Sequence, residues 1–235
     1  MTAWCRARVE ELESEDLCGF IFMKGSPSSG MERVKVYTEK GMPSKTGVGM
    51  FARAFMEHFP TIPVEEDGRL HDPKLRENFI ELLFTYKRWR DVLGGARSRG
   101  ALVDFHTRHK LLIMAHSPRH YREMGKLTAD VKAIGTETAF ARYGDLLVEA
   151  LRLKTTAKKH ADVLHHIMGY FKKQLSKDEK QELLEVIQQY RDGLTPLIVP
   201  VTLMNHFVRK YDQPYLRSQV YLTPHPIELQ LRNHV

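Results

Sequence analysis

The chain has 235 residues, 42% hydrophobic and 28% charged, which is long enough for a buried core and excludes disorder on compositional grounds. No apolar run approaches the roughly 18 residues of a membrane span. The first fifteen residues lack the apolar core of a secretory signal, and only Cys5 and Cys18 are present; the expectation is a cytoplasmic protein with reduced thiols and no membrane partner.

Residues 2–15 read as an amphipathic helix. Gly19 to Met23 (GFIFM) is a short apolar run and reads as a buried strand. It stops at the turn cluster Gly25-Ser26-Pro27-Ser28-Ser29-Gly30, whose hydroxyls and amides could hold an anion or could be only a turn. Arg33 to Tyr37 alternates and predicts a second strand. Lys40 to Gly49, rich in Gly and Pro, predicts a loop. Met50 to Phe59 predicts a helix ended by Pro60, and Ile62 to Glu65 a third strand. Strand, turn, strand, helix, strand in about 70 residues is too little for a complete doubly wound domain.

The character changes at His71. Residues 1–70 hold 9 Lys/Arg and 11 Asp/Glu, whereas residues 71–235 hold 27 and 18, so the net charge of +7 belongs to the second part. A basic domain behind a near-neutral one points to a polyanionic partner; the alternative is a charge that serves solubility alone. Asp72-Pro73 predicts a helix start, and residues 73–93 one helix. Gly94 to Gly100 predicts a flexible basic linker. Helices are expected at 101–115, 118–133, 137–154, 157–175 and 178–192, with Ser117-Pro118 and Ser176 as starts and Gly193 as a stop. A short helix should follow Pro196 and Pro200 up to Lys210, and the tail from Gln213 should be extended. The fold class expected is mostly α, with residues 1–70 as an incomplete α/β segment, 71–100 as connecting helix and linker, and 101–235 as a helical bundle.

Two segments carry chemistry. Along 157–175, Leu164, Ile167, Met168, Phe171 and Leu175 have helical spacing and should face the core. Lys158-Lys159, His165-His166 and Lys172-Lys173 recur every seven residues, nearly two turns, and should form a cationic stripe with room for close approach at Gly169. Such a stripe matches nucleic-acid phosphates, each contact releasing counterions; a solvated face is the bland alternative. Imidazoles charge at mildly acidic pH, so His165 and His166 should tighten binding as pH falls. The second segment is Asp104 to Lys110, in which Arg108, His109 and Lys110 are candidate phosphate contacts. His106 and His109 could share a face, but a metal needs further ligands, and Pro118 interrupts the spacing of His116 and His120. No metal site is assigned.

The runs LVDFHTRHKLLIMAHSPRHYREMGKL, KKHADVLHHIMGYFKKQLS, PLIVPVTLMNHFVRKY and YLTPHPIELQLRNHV closely resemble the YbgA-type bacterial domain of unknown function, from about residue 75 onward. Residues 14–70, with GFIFMKGSPSSGMERVKVY and GVGMFARAFMEHFP, resemble the last part of a TudS-like thiouracil desulfidase domain. The resemblance implies an iron–sulfur cluster held by three cysteines in full-length relatives, conversion of tRNA 4-thiouridine to uridine, and tRNA as the partner of the basic domain. It places Ser26 at the position of a catalytic serine beside the substrate. It also implies a departure: the third cluster cysteine belongs to an SPSCG turn, and here Ser29 stands in its place. This chain alone is therefore expected to hold no cofactor; a second reading is a desulfidase subunit completed by a partner chain that supplies the missing half, and the role of Ser26 is conditional on that half. The competing reading is a helical structural or regulatory protein that meets protein or DNA through its basic face.

Overall fold

A computed structural model describes residues 2–37 and 41–234. The chain divides into two compact units, residues 1–87 and 88–235. The fold is mostly α, with no strand among the described residues after Glu66.

The first unit begins with α1 (Thr2–Glu11), which buries only Cys5 and Val9, one turn apart, before a single 3-10 turn at Leu12–Ser14. Strand β1 (Phe20–Phe22) pairs in parallel with β4 (Val64–Glu66). Strand β2 (Val34–Tyr37) pairs antiparallel with β3 (Pro43–Gly47), with a register shift at Val34/Lys35. The expectation of a loop over 40–49 is thus corrected for its described part. Proline at the first residue of a two-stranded ribbon removes no central ladder bond, so a Gly- and Pro-containing segment can still pair. Helix α2 (Met50–His58) completes the core. Phe20, Phe22, Phe51, Phe55 and Phe59 form one aromatic cluster, with neighbouring centroids 4.6–6.2 Å apart.

Helix α3 (Pro73–Gly94) opens as its sequence predicts: the Asp72 carboxylate accepts from the amides of Lys74 and Leu75. In the second unit, α4 (Arg99–His116) is central and packs on α5 (Pro118–Ala129), α7 (Thr136–Arg152) and α8 (Ala157–Met168). A one-turn helix α6 (Val131–Ile134) follows a break at Asp130, where a single helix to 133 was expected. Thr128 turns its hydroxyl onto the Met124 and Gly125 carbonyls, a side-chain bond that competes with helix propagation. Helix α9 (Lys177–Arg191) starts with a capping box in which Ser176 and Glu179 bond each other's backbone amides. Helix α10 (Ile198–Lys210) carries Pro200 in its first turn, where the missing amide costs nothing. The tail is not extended. Helix α11 (Pro214–Arg217) and 3-10 turns at Val220–Leu222 and Ile227–Leu229 fold it back, and Gln219 donates to the Thr107 carbonyl.

The core of this unit is aromatic. Trp89 lies 5.1 Å from Phe105, 5.6 Å from Phe140 and 5.1 Å from Tyr143. A Cβ on Gly144 would sit 2.9 Å from the indole nitrogen of Trp89, so only glycine lets that ring close on α7.

Candidate nucleic-acid interface

The turn of the first unit is built from its own backbone. The Ser29 amide donates to the Ser26 hydroxyl oxygen at 3.1 Å, and Gly30 donates to the Ser26 carbonyl at 2.8 Å. The amides of Phe51 and Ala52, at the start of α2, donate to the Ser28 carbonyl. Buried Glu66 accepts from the amides of Met31 and Glu32 and holds the far side. A Cβ on Gly49 would lie 2.4 Å from the Ser28 carbonyl oxygen, so turn and helix are in close contact. These amides already have acceptors, which leaves few donors for an anion. Ser26 is half-buried with its hydroxyl 3.2 Å from that of Ser28.

In the second unit the two histidine-bearing segments separate. Lys158, His165 and His166 are exposed on α8, opposite the buried His160, Ala161, Val163, Leu164 and Ile167. The helix ends at Met168 and not at 175. Glycine at 169 weakens propagation, and the chain tightens into a 3-10 turn at Gly169–Phe171 that buries Phe171 beside Phe207 and Tyr211. Lys172 and Lys173 follow that turn and are exposed, so they extend the cationic surface without continuing the helical stripe. None of Lys158, Lys172 and Lys173 has an ion pair among the described residues. Lys159 is different. Its ammonium donates to the His116 carbonyl at 2.7 Å and to the Lys154 carbonyl at 2.9 Å. It thereby satisfies the end of α4, and partial burial lowers its pKa.

On α4, Arg108 is exposed and paired with Asp104 at 2.8 Å. His109 corrects the expectation of a phosphate contact: it is 1% exposed, stacks on Phe105 at 3.8 Å and donates through Nδ1 to the Phe105 carbonyl at 2.8 Å. Burial is the chief cause that drives its pKa down to about 3; the Arg88 and Arg108 guanidiniums act the same way. His106 is also buried, 3.1 Å from the Tyr143 hydroxyl, with its pKa lowered to about 4 by burial and then by Lys110. Both imidazoles are neutral parts of the core. His116 likewise donates to the Leu153 carbonyl, and His120 lies against Ser117. Among the described residues no group of three His, Cys, Asp or Glu side chains could hold a metal ion.

Two tyrosines that the sequence did not single out join the segments. Lys110 on α4 places its ammonium 5.0 Å from the centroid of the Tyr215 ring on α11. Tyr215 stacks on Tyr170 at 5.1 Å and 26°, and Tyr170 meets His166 edge-on at 5.6 Å and 75°. A continuous line of cation and rings therefore runs from α4 to the end of α8, where Lys172 and Lys173 follow. Burial raises both phenol pKa values, so the rings stay neutral.

Comparison with known proteins agrees with the division. A protein of Escherichia coli (strain K12), described as uncharacterized protein YbgA, is 33% identical over 137 residues, which are 58% of this chain and 81% of that protein. A family described as protein of unknown function (DUF1722) matches residues 110–226. The chain belongs to the DUF1722, YbgA-like family. Residues 1–67 match the 2-thiouracil desulfurase family. No solved structure matches. The DUF1722 match covers α4 from Lys110 onward and every exposed cation of the interface except Arg108.

The residues present do not fit the cluster that the desulfidase resemblance implies. A three-thiolate cluster cannot be drawn from two cysteines, of which Cys5 is buried in α1, and position 29 is serine. No reaction step is assigned to such a group in this chain.

Proposed function

We propose that this protein is a tRNA-binding module of a thiouridine-desulfidase system, with its DUF1722 unit gripping the RNA. The observation that carries the reading is the set of unpaired surface cations, Lys158, Lys172 and Lys173, beside exposed His165 and His166. Unpaired lysines on a basic surface keep their charge available for phosphates, and counterion release then drives binding. The 2-thiouracil desulfurase match at residues 1–67 supports a thiolated pyrimidine as the chemistry served. Removal of sulfur itself requires a desulfidase half with its own thiolates, which residues 1–67 do not include. Ser26, fixed by the Ser29 amide, would then stand beside the substrate.

The test is a salt titration of tRNA binding by the full chain and by a Lys158→Gln, Lys172→Gln, Lys173→Gln variant. On α8 glutamine keeps helix propensity close to that of lysine, and Lys172 and Lys173 are exposed beyond the helix, so folding is expected to persist. Three lost contacts should flatten the slope of log K against log salt by about 2 to 3, and lower affinity on the order of a hundredfold at 0.1 M salt. Equal affinity and slope in the two proteins would remove the reading. Iron and sulfide analysis after anaerobic reconstitution should find no stoichiometric cluster on this chain alone.

A further inference from the structure

The RNA reading explains the cations but not the rings beside them. Tyr170 stacks on a second ring and is still 40% exposed. His166, also exposed, stands nearly perpendicular to it, so the two rings form a corner open to solvent. Gly169 lies between them in the chain, and a Cβ added there would meet nothing within 4 Å. Behind the corner, Tyr215 backs Tyr170, and the Lys110 ammonium over its ring fixes Tyr215 in turn. Lys172 and Lys173 follow Tyr170 by two and three residues, are exposed, and have no ion pair among the described residues. A rigid aromatic face, a perpendicular ring with polar nitrogens, and cations nearby are what an unstacked nucleotide requires. Its base stacks, its edge meets the imidazole, and its phosphate meets the lysines.

We propose that the Tyr170–His166 corner holds one unpaired nucleobase, so that the unit recognises RNA at a single-stranded or extruded nucleotide and not along a duplex. The inference rests on the RNA reading above and narrows its substrate class. Duplex RNA keeps its base faces covered and offers only phosphates and 2′-hydroxyls, for which an aromatic corner has no use.

The experiment uses the full chain, a single-stranded oligouridine carrying one 2-aminopurine, and a matched RNA duplex without overhangs. Stacking quenches 2-aminopurine, so wild type should quench it on binding. Tyr170→Leu should abolish the quench and weaken single-strand binding by about 5- to 150-fold, the range for loss of one base–aromatic stack. It should leave the salt slope and duplex affinity unchanged. Tyr170→Phe should behave as wild type. If Tyr170→Leu does not fold, His166→Ala, at an exposed position, removes the perpendicular ring of the corner, and weaker single-strand binding is again expected. Wild-type binding without quenching, or equal single-strand affinity in both folded variants, overturns the base site. It leaves the RNA reading intact provided the triple lysine variant still weakens binding. Absence of binding to either RNA at low salt overturns both.

Discussion

Two stretches of the second unit look alike as sequence and behave oppositely in space. Asp104–Lys110 and Lys158–Lys173 are both basic and both carry paired histidines. On α4 the imidazoles of His106 and His109 turn inward and stay neutral, while on α8 His165 and His166 turn outward. The difference is helical phase. His109 lies three and four residues from Phe105, Leu112 and Ile113, within the apolar stripe, whereas His165 and His166 fall between the stripe positions Leu164 and Ile167. Composition says that a segment is basic; the phase of its apolar residues says which of its polar groups can meet a partner.

The largest effect expected from this contrast is on acid stability. His106 and His109 have folded pKa values of about 4 and about 3, below the ordinary value of 6.5. The unfolded chain therefore binds protons first, and their contribution is complete above pH 6.5 and is lost as pH falls toward 4 and then 3. At one pKa unit per 1.36 kcal/mol, the loss is on the order of several kcal/mol. Chemical denaturation at pH 7.5, 6 and 5 should show it. A His106→Asn, His109→Gln variant should be less stable at pH 7.5 yet lose less between pH 7.5 and 5. Equal pH slopes in variant and wild type would show that these imidazoles are not held neutral.

A smaller effect separates core from surface. Gly144→Ala places a methyl against the buried indole of Trp89, which packs on Phe105 beneath the α4 histidines. Overpacking of this kind costs about 1–3 kcal/mol. Thermal unfolding should register that loss, while RNA affinity measured well below the transition stays at the wild-type level. Parallel losses of stability and RNA affinity would mean that the interface depends on core packing rather than on surface side chains.

Much of the fold was legible. Asp72, Ser117, Ser176 and Gly193 marked helix ends because capping is local chemistry, and all four lie at a helix start or just beyond a helix end in the structure. The end of α8 was not legible, since Phe171 and Leu175 kept helical spacing through a 3-10 turn whose purpose is to bury Phe171. Strand β3 was hidden by its Gly and Pro content. Of the candidate site, the exposure of Lys158 followed from the helical pattern, whereas Lys172 and Lys173 are exposed beyond a helix end that the pattern did not show. The burial of His109 was also readable, because it shares the period of Leu102, Phe105 and Leu112. Lys159 looked like its neighbour, and only the fold brings the His116 carbonyl within its reach. The contacts of Tyr215 with Tyr170 and Lys110 join residues 45 and 105 positions apart, and no local signal announces such contacts.

The central claim, that the exposed face of α8 and the turn after it grip RNA, is tested most directly by lysine acetylation footprinting of the full chain with and without saturating tRNA. Free protein should react at Lys158, Lys172 and Lys173, and slowly at Lys159, whose ammonium is occupied by two carbonyls. Bound tRNA should protect the first three and leave Lys35 and Lys45 on the β2–β3 ribbon of the first unit reactive. Protection of Lys35 and Lys45 with unchanged reactivity at Lys158, Lys172 and Lys173 would contradict the account.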